Sequence, residues 1–437
     1  MRKYFKKLLA VGMATSLAFA GLAGCGSDAA QNIPQDNQEA VEATQEATEA
    51  APAAKATTET AAEEATEAPA AAAEATTEEV AEDTASDIPI EEKEMKDITP
   101  AELVAQIEIG WNLGNSLDAY GASGLASETS WGNPATTKEM IDAVAAKGFN
   151  SIRVPVTFGG HMGPAPDYTV DPEWMARVKE VVDYCIEDDL YVLLDSHHEE
   201  DWRIPDNDHV DATSEQMAAL WTQIAEEFKD YDYHLIFEGM NEPRVKGGQN
   251  EWNGGTPEVR KCLDTLNQVF VDTVRATGGN NEYRLLLITS VAGSHVISTI
   301  APLKIPEDDH IAVAIHAYTP YAFTYEDPSA NPYDNWDGSH KGDITGVFSD
   351  LSRIFLAKGV PVLITEMGAV DKNNEDEVVN WVTEYLSRAK KSGIPCYWWD
   401  NGNFDQEGEK FAVFNRNDNT WYREKLVDAM MAVYEEE

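Results

Sequence analysis

The chain has 437 residues, enough for one large domain or two ordinary ones, and a formal net charge of −46 at pH 7. Beyond Asp87 there are 62 acidic and 27 basic side chains, so most of the negative charge belongs to the folded part. That argues against phosphate backbones and anionic membrane surfaces as partners and favours a neutral polymer or small molecule.

Residues 1–25 read as a targeting segment. Arg2, Lys3, Lys6 and Lys7 form a basic start, and Leu8–Ala20 is an apolar run too short to span a bilayer as a stable helix. The segment ends Leu22-Ala23-Gly24-Cys25, which is similar to a bacterial lipobox with Cys25 as the lipidated residue. An ordinary signal peptide cut near Ala23-Gly24 is the alternative. Both predict export, and membrane contact is expected only through a lipid anchor. Residues 26–94 are low-complexity Ala, Thr, Glu, Gln and Pro. Between Asp28 and Asp87 there are sixteen acidic residues and one basic one, Lys55. Such a stretch has almost nothing to bury and reads as a disordered acidic linker. Residues 95–437 are then the folded domain. Its cysteines, Cys185, Cys262 and Cys396, lack metal spacing and read as buried thiols.

Strand-like and helix-like stretches alternate from Ile98 onward. Strands are predicted at Ile107–Trp111, Ser151–Val156, Tyr191–Asp195, Leu235–Glu238, Arg284–Ile288, Ile311–His316, Pro361–Thr365 and Pro395–Trp399. Helices are predicted at Lys138–Lys147, Pro172–Glu187, Ser214–Phe228, Pro257–Thr277, Ile344–Ala357, Glu375–Ser392 and Arg423–Glu435, with a short one near His295–Ile300. Proline opens two of these helices, and Gly148, Gly278 and Gly393 close three. Eight strands each followed by a helix predict an α/β fold, the (β/α)8 TIM barrel. An open doubly wound sheet is second, because no Gly-rich phosphate turn follows the first strand.

In such a barrel the active site lies at the C-terminal ends of the strands. Polar and aromatic residues cluster there: Asn112, Asn115 and Asp118 after the first strand, Arg153 in the second, then Asp195, His197 and His198, then Asn241 and Glu242. His316 and Tyr318 follow the sixth strand, Glu366 the seventh, and Trp398, Trp399, Asp400 and Asn401 the eighth. Each alone has a structural explanation, and Glu242 could be a helix cap or a loop ion pair. Two strand-end carboxyls, Glu242 and Glu366, suit glycoside hydrolysis. The acid needs a raised pKa, and the nucleophile must stay ionised, which a nearby Arg153 would favour. Separations of about 5–5.5 Å and about 6.5–9.5 Å distinguish retention from inversion. Alternation puts Tyr397 and Trp399 on one face and Trp398 on the other, without saying which face is inside.

Several stretches carry a resemblance: IGWNLGNSLDA (Ile109–Ala119), WGNP (Trp131–Pro134), GFNSIRVPVTF (Gly148–Phe158), DSHHE (Asp195–Glu199), FEGMNEPR (Phe237–Arg244), HAYTPYAF (His316–Phe323), TEMGA (Thr365–Ala369) and YWWDNG (Tyr397–Gly402). In order across the domain they resemble glycoside hydrolase family 5 cellulases, and most closely the subfamily of endoglucanases, lichenases and xyloglucanases (subfamily 4). The resemblance implies a retaining endo-β-1,4-glucanase with Glu242 as acid/base and Glu366 as nucleophile. It implies supporting roles for Arg153, His197, Asn241, His316, Tyr318 and Trp399. It implies substrate contacts by Asn115, His161, His198 and Asn401. Phe158 departs from the tryptophan usual in the family, which bears on one sugar contact. Trp131 and Trp398 are further candidates for substrate contact, and Trp202, Trp252, Tyr321 and Trp336 lie in loops expected to rim the cleft.

The expected partner is a β-glucan. No cofactor, metal or nucleic acid is expected, and the chain is expected to be a monomer. A metal-dependent barrel hydrolase using Asp195, His197, His198 and Glu199 is a competing reading. It is disfavoured because neighbouring histidines on a strand point to opposite faces. A glycan-binding surface lipoprotein without catalysis is the other, and two strand-end glutamates argue against it.

Overall fold

The computed structural model describes residues 89–326, 333–406 and 408–435. The expected leader, Cys25 and most of the expected linker lie outside the described residues. One correction concerns the linker's end. Ile90 is 7% exposed and packs with Ile98, Leu103, Val104 and Ile107, so folded chain starts no later than Pro89 rather than at residue 95. A single isoleucine among glutamates is too weak a pattern to mark that start.

Eight parallel strands close into a barrel in sequence order: β1 (Ile109–Leu113), β2 (Ser151–Val156), β3 (Tyr191–Ser196), β4 (Leu235–Glu238), β5 (Leu286–Ser294), β6 (Ile311–His316), β7 (Val362–Met367) and β8 (Cys396–Asp400), with β8 pairing back onto β1. Helices Lys138–Lys147, Pro172–Glu187, Val210–Glu227, Pro257–Ala276, Lys341–Ile354, Glu375–Ser392 and Glu424–Glu435 surround it, and β5 is followed only by the short Ile297–Ile300. This is the expected (β/α)8 barrel. Thr256 caps the 257–276 helix by accepting from Val259 N at 3.3 Å, and Pro257 holds its first position. A small hairpin, β9 (Phe414–Asn415) and β10 (Thr420–Trp421), follows β8.

The apolar core has two parts. Outward-facing strand residues such as Val154, Leu194, Phe237, Val313 and Ile364 pack with the helices. Inward-facing Tyr191, Leu193, Ile236, Leu287, Ala314, Leu363 and Tyr397 fill the lower barrel, and the segment through the 100–104 helix packs with them. Ile107 belongs to this second cluster, so β1 begins two residues later than the pattern of apolar residues suggests. Gly110 is required by the filling: a Cβ there would lie 1.9 Å from the Tyr397 ring.

Candidate active site

Above the apolar fill the barrel interior is charged. Arg153, midway along β2 and fully buried, reaches three carboxylates: Asp195 of β3, Glu238 of β4 (Nε to Oε2, 2.7 Å) and Glu366 of β7 (Nη1 to Oε1, 2.8 Å). It also donates to Asn112 Oδ1 at 3.0 Å and Asn241 Oδ1 at 2.9 Å. Asn112 is itself held by carbonyls of Thr365 and Trp398, at 3.0 and 3.2 Å. Every donor edge of the guanidinium is thus occupied from several strands, which sets its orientation.

Glu242 lies four residues past Glu238, where β4 has given way to the loop that runs to the 257–276 helix. His316, the last residue of β6, donates from Nδ1 to Glu242 Oε1 at 2.9 Å and stands 3.5 Å from Glu366 Oε2. Ligand-capable atoms of Glu242, His316 and Glu366 all fall within 4.8 Å of one another. Tyr318 donates its hydroxyl to Glu366 Oε2 at 2.9 Å. A register shift between β6 and β7 pairs Ile315 with Ile364 and His316 with Glu366. The extra residue lets both Thr365, whose hydroxyl bonds Glu238 at 3.3 Å, and Glu366 face the site. Gly293 in β5 makes room for His316: its φ is +61° and a Cβ would meet the imidazole at 3.0 Å.

The electrostatics differ from the expectation of a raised acid and a lowered nucleophile. Burial raises Glu366, and the opposing pull of His316 and Arg153 does not cancel it. Burial also works to raise Glu242, but the His316 hydrogen bond and the charges of His316 and Arg244 outweigh it and hold it below the usual range. His316 itself is raised, because Glu366 and Glu242 overcome its burial. The reason for the reversed order is geometric: His316 sits closer to Glu242, at 2.9 Å, than to Glu366, at 3.5 Å, and so lowers Glu242 the more effectively.

The aromatic wall lies beside this cluster. Trp399 stacks on His197 with centroids 5.7 Å apart and planes at 3°. His197 is anchored by Nδ1 to Asp195 Oδ2 at 3.0 Å. Trp131 and Tyr120 flank His198 at 5.5 and 5.6 Å. Trp399 therefore faces inward. Trp398, expected among the substrate contacts, does not: it is fully buried on the helix side, 6.4 Å from Trp381, with Nε1 donating to Phe411 O at 2.9 Å. Strand alternation is the cause. His161, expected among the substrate contacts, stacks on Trp174 of the helix shell with ring centroids 3.8 Å apart. Asn401 spends its amide on its own loop, donating to Glu409 O at 2.8 Å and accepting from Asn403 N at 3.1 Å. Asn115 is half-buried with φ +58°, and its carbonyl accepts from Asn133 at 2.9 Å. Of the loop aromatics, Trp252 and Tyr321 are exposed, while Trp336 is buried against Phe323.

Three residues of the site were not singled out by the sequence. Glu238 was visible as a lone acid in an apolar strand. Arg244 lies 3.6 Å from Glu242 Oε2, 3.2 Å from Glu200 and 4.1 Å from the Trp252 ring, and Glu200 reaches His198 Nδ1 at 3.6 Å. The expectation that His197 and His198 diverge is corrected as well: β3 ends at Ser196, so alternation does not govern them, and their rings are 4.4 Å apart.

The family model for cellulase (glycosyl hydrolase family 5) matches residues 117–405. The chain belongs to glycoside hydrolase family 5. Endoglucanase A of Ruminococcus albus is 57% identical over 340 residues, covering 77% of this chain and 93% of that one. Among solved structures, a xyloglucan-specific endo-β-1,4-glucanase of the family from a metagenomic library, in complex with cellotriose, is 47% identical with a TM-score of 0.75, covering 76% of this chain and 98% of that one. A broad-specificity subfamily 4 endoglucanase from Ruminococcus champanellensis, with bound cellotriose, is 44% identical with a TM-score of 0.75, covering 78% of this chain and all of that one (100%).

Proposed function

We propose that this family 5 glycosidase is an endo-acting β-1,4-glucanase that cleaves internal bonds of cellulose-type glucans, mixed-linkage β-glucan or xyloglucan with retention of configuration. The observation that carries the reading is the pair of carboxylates, Glu242 and Glu366, with oxygens inside 4.8 Å of one another and of His316. That approach supports the close pair of a retaining enzyme, about 5–5.5 Å between carboxyls, over the about 6.5–9.5 Å of an inverting one.

In this mechanism Glu366 attacks the anomeric carbon and forms the glycosyl ester, while the glycosidic oxygen takes the proton held by Glu242 and leaves as a hydroxyl. A water then attacks the anomeric carbon, gives its proton to Glu242, and breaks the bond to Glu366, which leaves as the carboxylate. Arg153 and Tyr318 donate to Glu366 and favour its ionised form. Trp399, beside His197, offers the flat apolar face on which the reacting pyranose rests. Asn241, its oxygen held by Arg153, has its amide nitrogen left for a sugar hydroxyl.

The basic start, short apolar run and Leu22–Cys25 motif support export and lipid anchoring at Cys25, with the acidic segment as a tether to the surface. The enzymatic reading is tested by reducing-sugar release from carboxymethyl-cellulose, mixed-linkage β-glucan, xyloglucan, mannan and xylan, with Glu366→Gln as control. Release from the glucans by the wild type alone supports it. No release from any glucan by folded protein overturns it.

A further inference from the structure

Asp118, just beyond β1, is fully buried, and its two oxygens are treated differently. Oδ1 accepts from Ser116 N at 2.8 Å, whereas Oδ2 is buried without a hydrogen-bond partner. A buried acceptor left unpaired is costly, and native structures rarely keep one without a reason. Facing it, His198 brings Nε2 to 3.8 Å, too long for a hydrogen bond. Ligand-capable atoms of Asp118, His197 and His198 lie within 4.8 Å of one another.

Each histidine has a carboxylate behind it. Asp195 holds His197 Nδ1 at 3.0 Å, and Glu200 lies 3.6 Å from His198 Nδ1. The Asp195 hydrogen bond fixes the His197 tautomer and leaves its Nε2 as a lone-pair donor, the arrangement found behind metal-ligating histidines, while Glu200 stands on the Nδ1 side of His198 and leaves its Nε2 toward Asp118. We propose that Asp118, His197 and His198 bind one divalent transition-metal ion of borderline softness, such as Zn2+, and that the ion competes with the glucan for the cleft.

Two imidazoles and one carboxylate select Zn2+, Cu2+ or Ni2+ over Ca2+ and Mg2+, which prefer all-oxygen shells. Three protein ligands leave a fourth tetrahedral position for water. Atoms bound tetrahedrally to one such ion at about 2.0–2.1 Å are about 3.4 Å apart, so the three groups, now within 4.8 Å of one another, close by up to about 1.4 Å on binding. The ion takes no part in glycosidic cleavage, which belongs to Glu242 and Glu366. It occupies space bounded by Trp131 against His198 and Trp399 against His197. That this space seats a sugar rests on the glucanase reading; the metal site itself does not.

The test is equilibrium dialysis of the metal-stripped, untagged full chain against ZnCl2, with bound zinc measured directly. One zinc per chain is expected to bind saturably to the wild type. Asp118→Asn and His198→Gln, with melting temperature and circular dichroism confirming their fold, are expected to bind at least tenfold more weakly. Cellotriose is expected to raise the apparent Kd for zinc. No saturable binding, or binding that neither substitution weakens, overturns the proposal. Zinc binding indifferent to cellotriose, in a chain that does hydrolyse glucans, overturns the competition. Failure of the chain to hydrolyse any glucan would instead strike the proposed function, leaving the direct binding result to stand by itself.

Discussion

Arg153 donates from Nη1 to Glu366 Oε1 at 2.8 Å while the rest of its guanidinium is held by Asp195 and Glu238. One cation thus serves three buried carboxylates, and Glu366, the proposed nucleophile, receives only the share that the other two leave. Removing the cation strands three buried acids. Arg153→Met is expected to cost about 3–5 kcal/mol of stability by the usual penalty for breaking a buried ion pair. It is also expected to lower kcat by at least about 10²-fold, the range seen when one preorganised donor is lost. Thermal melts and kinetics on a soluble glucan check both; a folded variant with near wild-type kcat would remove Arg153 from the catalytic machinery.

The pH profile follows from the same cluster. Glu366 must be ionised to attack, and burial raises it above its usual 4.5, so activity is lost as pH falls through a value above 4.5. The His316–Glu242 pair must hold a proton for the leaving oxygen, and His316 is raised above its usual 6.5, so activity is expected to be lost as pH rises through a value above 6.5. The kcat/KM profile of the free enzyme is expected to be bell-shaped with both limbs displaced upward. An acid limb below 4.5 would contradict this.

Adjacent tryptophans on β8 are expected to behave in opposite ways. Trp398 fills the shell between strand and helix, so Trp398→Ala is expected to cost about 3–5 kcal/mol of stability. Trp399 faces the cleft, so Trp399→Ala is expected to raise KM and lower kcat with a smaller loss of stability. Melting temperature and Michaelis parameters on the two variants separate them.

Gly293 is a remote test of His316. With φ +61° and the imidazole 3.0 Å from where a Cβ would sit, Gly293→Ala is expected to cost about 1–3 kcal/mol through backbone strain. Displacing His316 by a few tenths of an ångström is expected to lower kcat by up to about tenfold, with little change in KM. Unchanged kcat would show that His316 tolerates displacement.

The barrel was legible because its signals are local. The helices 138–147, 172–187 and 375–392 have the expected bounds, set by capping residues, prolines and glycines. Glu242 and Glu366 were legible because each follows an apolar run that ends abruptly. What was not legible depends on register. The bulges that bring Thr365 and Glu366 to the same side, and that lengthen β5 to Ser294, arise from strand pairing and leave no mark in the order of residues. The face of Trp398 depended on which side of β8 is inside. The convergence of His197 and His198 depended on β3 ending at Ser196, before either histidine. Ile90 was missed because it stands alone among glutamates, and its burial is set by the packing of Ile98, Leu103, Val104 and Ile107 against the barrel floor.

The most direct test of double displacement is the anomeric configuration of the first-formed product, followed by proton NMR during hydrolysis of a soluble cello-oligosaccharide by the wild type. Attack by Glu366 followed by hydrolysis of the ester predicts that the β-anomer appears first and mutarotates later. An α-anomer appearing first would mean single displacement by water, and would contradict Glu366 as nucleophile and Glu242 as acid/base.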